Sequence, residues 1–293
     1  MLESIEDTEV FQRIVAAVRA GNAGLASDID GTLSPIAPTP SESFVPEEVR
    51  TGLEKLYSTG KFKLMALVSG RSPLDGRGLV KMPQMLYLGN HGMERLEPDA
   101  ANPVPARAVV KYQPMVAAAL DLVRQNLLTH SPQDFGFPAD AGPEWVNSLL
   151  FEDKGLTASI HYRLCPVPEL ARQTTLDEIR AATVNTGLII TEGRQVLEIR
   201  PPVEINKGTA LTDLALEFGL ESLIFMGDDL TDVDGFLALR KLEMVGGSFK
   251  QGFAIGVTSP EMNPKVRETA DTLVEGVGGV AAFLERLYRH LQE

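Results

Sequence analysis

Cysteine is almost missing from this chain, with Cys165 alone among 293 residues. One thiol closes no internal disulfide and builds no cysteine-based zinc site, and no His or Cys cluster flanks it, so it reads as filler rather than a nucleophile. Long apolar runs are missing too. Nowhere do 18 or more apolar residues follow one another. Met1 to Ala20 lack the basic-then-apolar layout of a secretion signal, and the expectation is a cytoplasmic protein. Basic residues are outnumbered, 27 Lys and Arg against 40 Asp and Glu, for a net charge of −13. With no basic stripe, that balance argues against nucleic acid and anionic membrane as partners. An anionic substrate would need a local positive site to overcome the field. Repeats and low-complexity tracts are absent as well.

The rest of the composition suits a globular chain long enough for one large or two modest domains. A helix is expected from Glu6 to Ala20, where Val10, Ile14, Val15 and Val18 fall at helical spacing. It leads into the apolar run Leu25-Ala26-Ser27, which delivers Asp28 and Asp30 before Gly31, Thr32 and Leu33. In extended chain, residues two apart point to the same side, so both carboxylates can face one small volume at a strand end. Asp-Gly is also a common turn signal. A calcium-binding loop starting at Asp28 fails, because it would need glycine where Leu33 stands and glutamate where Thr39 stands.

Two further short apolar runs, Leu64 to Val68 and Met85 to Leu88, also end in polar residues: Ser69-Gly70-Arg71 and Gly89-Asn90-His91-Gly92. A helix opened by Pro46 and stopped near Gly60 separates the first two strands. Strand and helix in alternation, with polar residues after each strand, is the pattern of a doubly wound parallel sheet that binds ligands beyond its carboxyl edge. The middle of the chain differs. Pro98, Pro103 and Pro105 mark a linker, and Val109 to Leu128 reads as one helix. Thr157 to Arg163 alternates as a half-exposed strand, Pro168 opens a helix reaching Asn185, and Leu188 to Arg200 reads as a hairpin around Gly193. We therefore expect a core of residues 1–103 and 201–293 interrupted by a smaller α/β insertion, 104–200. The doubly wound pattern resumes with a helix from Gly208 to Phe218, strands at 223–226, 253–257 and 272–274, and a last helix from Val280 to Leu291.

After the strand at 223–226 come Asp228, Asp229, Asp232 and Asp234. A solvated acidic helix start explains them equally well taken alone. Two acidic strand ends in one parallel sheet, however, fall on the same edge and together suit Mg²⁺, which takes one or two carboxylates, waters and phosphate oxygens. Lys207, at the start of a helix, opposes the helix dipole, so that it either bends into water or, beside a phosphate, joins the helix amides as an anion clamp.

In order along the chain, Asp28-Ile29-Asp30-Gly31-Thr32, Ser69 in Val-Ser-Gly-Arg, Lys207 in Asn-Lys-Gly and Gly227-Asp228-Asp229-Leu230-Thr231-Asp232 resemble the four motifs of the haloacid-dehalogenase-like phosphatases. Thr32-Leu33-Ser34-Pro35-Ile36, Asn90-His91-Gly92-Met93-Glu94, Glu152-Asp153-Lys154-Gly155 and His161-Tyr162-Arg163 look like one branch, the trehalose-6-phosphate phosphatases. The resemblance covers nearly the whole chain and implies a Rossmann-like core carrying a cap domain that closes over the sugar. It makes Asp28 the nucleophile that becomes an aspartyl phosphate, and Asp30 the acid and then the base. Mg²⁺ would be held by Asp28, the Asp30 carbonyl and Asp228, with Asp229, Thr231 and Asp232 around them. Ser69 and Lys207 would hold phosphoryl oxygens, with Gly31, Thr32, Gly70, Arg71, Asn90 and His91 also on the phosphate or substrate. From the insertion, Glu152, Lys154, His161, Arg163, Glu198 and Arg200 would meet the disaccharide, unless they are cross-strand ion pairs on a solvated sheet. Val233 stands where the family has glutamate. A monomer is expected, functionally paired with a trehalose-6-phosphate synthase. The competing readings are a phosphatase for sucrose 6-phosphate, mannosylphosphoglycerate or glucosylglycerol phosphate, a phosphomutase, and a non-catalytic sugar-phosphate sensor.

Overall fold

Helix α1 (Glu9–Ala20) turns Phe11, Ile14, Val15 and Val18 inward and feeds β1 (Ala23–Ser27), which is buried along its whole length. This computed structural model describes residues 9–193, 195–260 and 262–293, so the start expected for α1 at Glu6 lies outside the described residues. The chain continues through α2 (Glu47–Ser58), β2 (Phe62–Val68), α3 (Pro73–Val80), β3 (Leu86–Gly89), β4 (Glu94–Leu96) and the short β5 (Val104–Pro105). The inserted part holds α4 (Arg107–Val110), α5 (Gln113–Leu127), β6 (Leu150–Asp153), β7 (Ala158–His161), α6 (Pro168–Thr183), β8 (Ile189–Gly193) and β9 (Val196–Arg200). Then follow α7 (Lys207–Glu217), β10 (Ser222–Gly227), α8 (Leu230–Val245), β11 (Gln251–Thr258), α9 (Pro264–Thr269), β12 (Thr272–Glu275) and α10 (Gly276–Gln292).

One sheet runs in the order β12-β11-β10-β1-β2-β3-β4-β5. Its neighbours from β12 to β3 are parallel, and β4 lies antiparallel to β3. Alternate residues of each strand enter two different cores. Leu25, Met65, Leu67, Ile224 and Met226 pack with residues of α1, α2 and α10, whereas Ala26, Ala66, Val68 and Phe225 pack with α7 and α8. Burial on both faces is why these strands read as unbroken apolar runs in the sequence.

Two compact units divide the chain, one combining the chain up to Val104 with Ile205–Glu293, the other Pro105–Glu204. The second carries an antiparallel sheet in the order β6-β7-β9-β8. Ala158, Ile160, Leu197 and Ile199 on one side of that sheet share a core with Val116, Leu120 and Val123 of α5 and Ala171 and Ile179 of α6. Two expectations fail here. The single helix expected from Val109 to Leu128 is two, because Pro114 has no N–H and its ring collides with the carbonyl four residues earlier, so α4 ends at Val110. The half-exposed strand expected over residues 157–163 is shorter, and its polar side is covered as well: Thr157 and Ser159 are buried.

Candidate active site

Strands β1 and β10 lie side by side and parallel, and both stop at the same sheet edge. From β1 the chain builds outward through β2 and β3, and from β10 it builds the opposite way through β11 and β12. The crevice at such a reversal is where helices leave strand ends uncovered. Asp28 follows β1, its N–H still donating to the Met226 carbonyl at 2.9 Å, and Asp228 follows β10. A tight turn then closes on the Ile29 carbonyl, which accepts from Leu33 and Ser34 N–H at 2.8 Å each. Gly31 makes this turn possible. Its φ is +85°, and a Cβ there would lie 2.2 Å from an oxygen of Asp228. Gly227 is equally constrained, since its Cβ would lie 2.3 Å from Cγ of Asp232.

Lys207 stands at the first position of α7 and is buried among carboxylates. Its Nζ is 2.9 Å from Oδ2 of Asp28 and donates to Oδ1 of Asp232 at 2.7 Å. This resolves the conflict with the helix dipole, because two anions stabilise the ammonium far more than the dipole opposes it. Asp232 is fully buried and closes the start of α8 from within, its Oδ2 accepting the N–H groups of Asp228 and Asp229 at 3.1 and 3.0 Å. Asp229 caps the same helix, accepting from Leu230 N–H at 2.6 Å, and Thr231 lies in its first turn. Thr32 Oγ1 donates to Oδ1 of Asp228 at 3.2 Å. Val233, which departs from the motif the sequence otherwise resembles, packs in the apolar core between the sheet and α8.

Asp28, Asp228 and Asp232 bring one oxygen each within 4.8 Å of one another. Three buried carboxylates against one ammonium leave excess negative charge in a desolvated space. Burial pushes the Asp28 carboxyl up to about 7; Lys207 opposes the rise, and Asp232 and Asp30 add to it. Burial also works against the charge on Lys207, but Asp232 and Asp28 outweigh it and hold its proton above the ordinary lysine range. A hard divalent cation fits this donor set, since oxygen ligands with surplus negative charge are what it requires.

Ser69 follows β2, buried, with its Oγ accepting the Arg71 N–H at 3.2 Å. Its carbonyl accepts from His91 N–H at 2.8 Å. Asn90 and His91 both adopt left-handed backbone, φ 51° and 60°, and the imidazole packs so closely on Gly70 that a Cβ there would meet it at 2.9 Å. Asn90 Nδ2 donates to Glu94 at 3.3 Å, and burial pushes the Glu94 carboxyl up. Arg71, expected on the phosphate or substrate, forks onto Asp30: Nε to Oδ2 at 2.6 Å and Nη2 to Oδ1 at 2.8 Å. Asp75 and Ser43 take further N–H groups at 2.6 and 2.7 Å. The sequence held half of this arrangement, because Arg71 and Asp75 are four apart at a helix start, but not the contact with Asp30.

In the inserted unit, strand register lines up Glu152, Ser159, Glu198 and Thr191 in one row across the sheet. Lys154 Nζ and Ser159 Oγ each donate to Oε1 of Glu198 at 3.1 Å, and His161 Nε2 lies 3.1 Å from Oε2 of Glu152. Glu152, Lys154, His161 and Glu198 therefore form one cluster, to which Ser159 and Thr191 must be added. Arg163 lies beyond the end of β7, outside the alternation expected to align it with His161, and Arg200 closes β9.

Residues 26–125 and 144–271 match the trehalose-phosphatase family profile. Trehalose-phosphate phosphatase B of Arabidopsis thaliana is 28% identical over 95% of this chain and 69% of its own length. A probable trehalose-phosphate phosphatase D of the same plant is 30% identical over 95% of this chain and 70% of its length. Among solved structures, the C-terminal domain of Candida albicans trehalose-6-phosphate phosphatase superimposes with a TM-score of 0.71, covering 95% of this chain and 96% of that one at 18% identity. A haloacid dehalogenase-like hydrolase from Bacteroides thetaiotaomicron shares the fold at a TM-score of 0.59, covering 90% of this chain and 99% of that one at 16% identity. With most of its length matched by the profile, the chain belongs to the trehalose-phosphatase family.

Proposed function

We propose that this protein hydrolyses trehalose 6-phosphate to trehalose and phosphate through an aspartyl-phosphate intermediate. The observation that carries the reading is the buried Asp28, Lys207, Asp228 and Asp232 cluster at the sheet reversal of a trehalose-phosphatase chain. An oxygen of Asp28 attacks phosphorus, and the bond from phosphorus to the sugar oxygen breaks. Asp30 hands its proton to that leaving oxygen. It then takes a proton from the water that attacks the aspartyl phosphate, releasing phosphate and restoring Asp28. Lys207 and Ser69 hold the phosphoryl oxygens while charge shifts across them. Mg²⁺ held by Asp28, the Asp30 carbonyl and Asp228, with Asp229, Thr231 and Asp232 around them, would supply further neutralisation of that charge. Every residue invoked belongs to one chain, so a monomer suffices, and a trehalose-6-phosphate synthase is the functional counterpart that makes the substrate.

Residues of the inserted unit read the sugar. Carboxylates, an amine and hydroxyls on rigid strands suit the hydroxyl groups of a disaccharide, and Glu198 stands at the centre of that row. Glu198→Ala is expected to raise KM for trehalose 6-phosphate about 10-fold or more, the worth of a charge-assisted hydrogen bond, and to leave para-nitrophenyl phosphate turnover unchanged. The test of the whole reading is phosphate release from trehalose, glucose and sucrose 6-phosphates and para-nitrophenyl phosphate, with Mg²⁺ and with chelator. Strong metal-dependent preference for trehalose 6-phosphate is expected. Turnover without that preference discards the sugar assignment, and undiminished turnover by Asp28→Asn discards the mechanism.

A further inference from the structure

We infer that Arg71 is the positioning residue for Asp30, setting where the proton donor stands rather than binding phosphate itself. Asp30 lies on the turn beyond β1, in an isolated bridge with Ser34. Its side chain is held from outside that turn. Two parallel bonds from one guanidinium, at 2.6 and 2.8 Å, determine both the position and the plane of the carboxyl group. A single-point cation such as lysine fixes neither.

The guanidinium is itself anchored. Asp75 in the first turn of α3 and Ser43 ahead of α2 accept from it, while the Arg71 carbonyl accepts from Asn90 N–H at 2.8 Å and its N–H reaches Ser69 Oγ. Arg71 thus joins the segments that follow β1, β2 and β3 around Asp30. Its side chain is 9% exposed, against 34% for Asp30, so the holder is buried and the held group faces solvent. The bonds from Arg71 to Asp30, Asp75 and Ser43 leave the guanidinium committed to these partners.

The inference rests on Asp30 as the proton donor proposed above. When the bond from phosphorus to the sugar oxygen breaks, the electron pair stays on an alkoxide-like oxygen that needs a proton; Asp30 enters the step as the acid, one oxygen still accepting from Arg71 and the other passing its proton to the leaving oxygen. Para-nitrophenolate leaves without one. Misplacing Asp30 therefore slows the first reaction and spares the second.

The experiment compares single-turnover release of trehalose from trehalose 6-phosphate with that of nitrophenolate from para-nitrophenyl phosphate, in the whole enzyme with Mg²⁺. General acid catalysis contributes about 10² to 10⁴, so Arg71→Lys should slow the sugar phosphate about 10- to 100-fold and nitrophenolate release by less than about 3-fold. In an Asp30→Asn background, Arg71→Lys should add less than about 3-fold on either substrate, because residues acting through one another are not additive. Should Arg71→Lys fail to fold, the double variant Ser43→Ala with Asp75→Asn loosens the guanidinium from its other anchors and should shift the ratio in the same direction, about 3-fold or more. Equal losses on both substrates, or a full additional loss in the Asp30→Asn background, overturn the inference while leaving Asp30 as the acid. An Asp30→Asn enzyme that does not discriminate between the two leaving groups overturns the reading of Asp30, and the inference with it.

Discussion

Asp28 shows what burial does to a nucleophilic carboxylate. Above its pKa of about 7 it is ionised beside Asp232 and Asp30, with Lys207 the only cation bonded to it among the described residues. Below that value it holds a proton and the need for a second cation falls. A raised carboxyl pKa in the folded state means that the contribution of Asp28 to stability is greatest below its ordinary value of 3.8 and declines as pH rises toward 7. A divalent cation bound by the cluster opposes that decline. Thermal unfolding with Mg²⁺ and with chelator should therefore show a larger Tm gap at about pH 8 than at about pH 5.5. A gap that does not widen would show that the cluster takes up no cation as Asp28 ionises.

Between elements, His130 links the end of α5 to α6. Its Nε2 lies 2.9 Å from Glu178 of α6, its Nδ1 3.3 Å from Asp134, and Asn126 Nδ2 also donates to Glu178 at 2.8 Å. The Glu178 hydrogen bond holds the imidazolium above the ordinary histidine range against partial burial, and Asp134 assists. A raised histidine pKa contributes stability that is complete below about 6.5 and lost as pH climbs through the folded value. His130→Gln should accordingly lower Tm more at about pH 5.5 than at about pH 8.5. The pair was not legible in the sequence because 48 residues separate its members. Only the packing of α5 against α6 brings them together, whereas the Arg71 and Asp75 pair is local and shows in its spacing.

On the scale of the molecule, the two compact units have separate apolar cores. The single tryptophan, Trp145, belongs to the inserted unit and stacks on Phe135 with ring centroids 4.8 Å apart. Its fluorescence reports that unit alone, while far-ultraviolet circular dichroism reports both. Phe135 is fully buried, and Phe135→Ala should cost about 3–5 kcal/mol. The fluorescence-detected midpoint in denaturant should fall, and the part of the dichroism transition belonging to the larger sheet should stay where it is. Coincident shifts of both signals would show one cooperative unit instead. Among the described residues no helix is long and apolar enough to cross a membrane, in keeping with the absence of long apolar runs.

By itself the sequence determined the doubly wound core, because strands buried on both faces must be continuous apolar runs and the polar residues that follow them must gather at one edge. It also determined which carboxylates would meet, since Asp28 and Asp228 each follow a strand of one parallel sheet. Tertiary structure alone decided what each group touches. The fork of Arg71 on Asp30, the enclosure of Lys207 by Asp28 and Asp232, and the row of Glu152, Ser159, Glu198 and Thr191 all join residues far apart in the chain. Periodicity reports which face of an element is apolar, but strand register and side-chain partners follow from packing between elements that spacing along one segment does not encode.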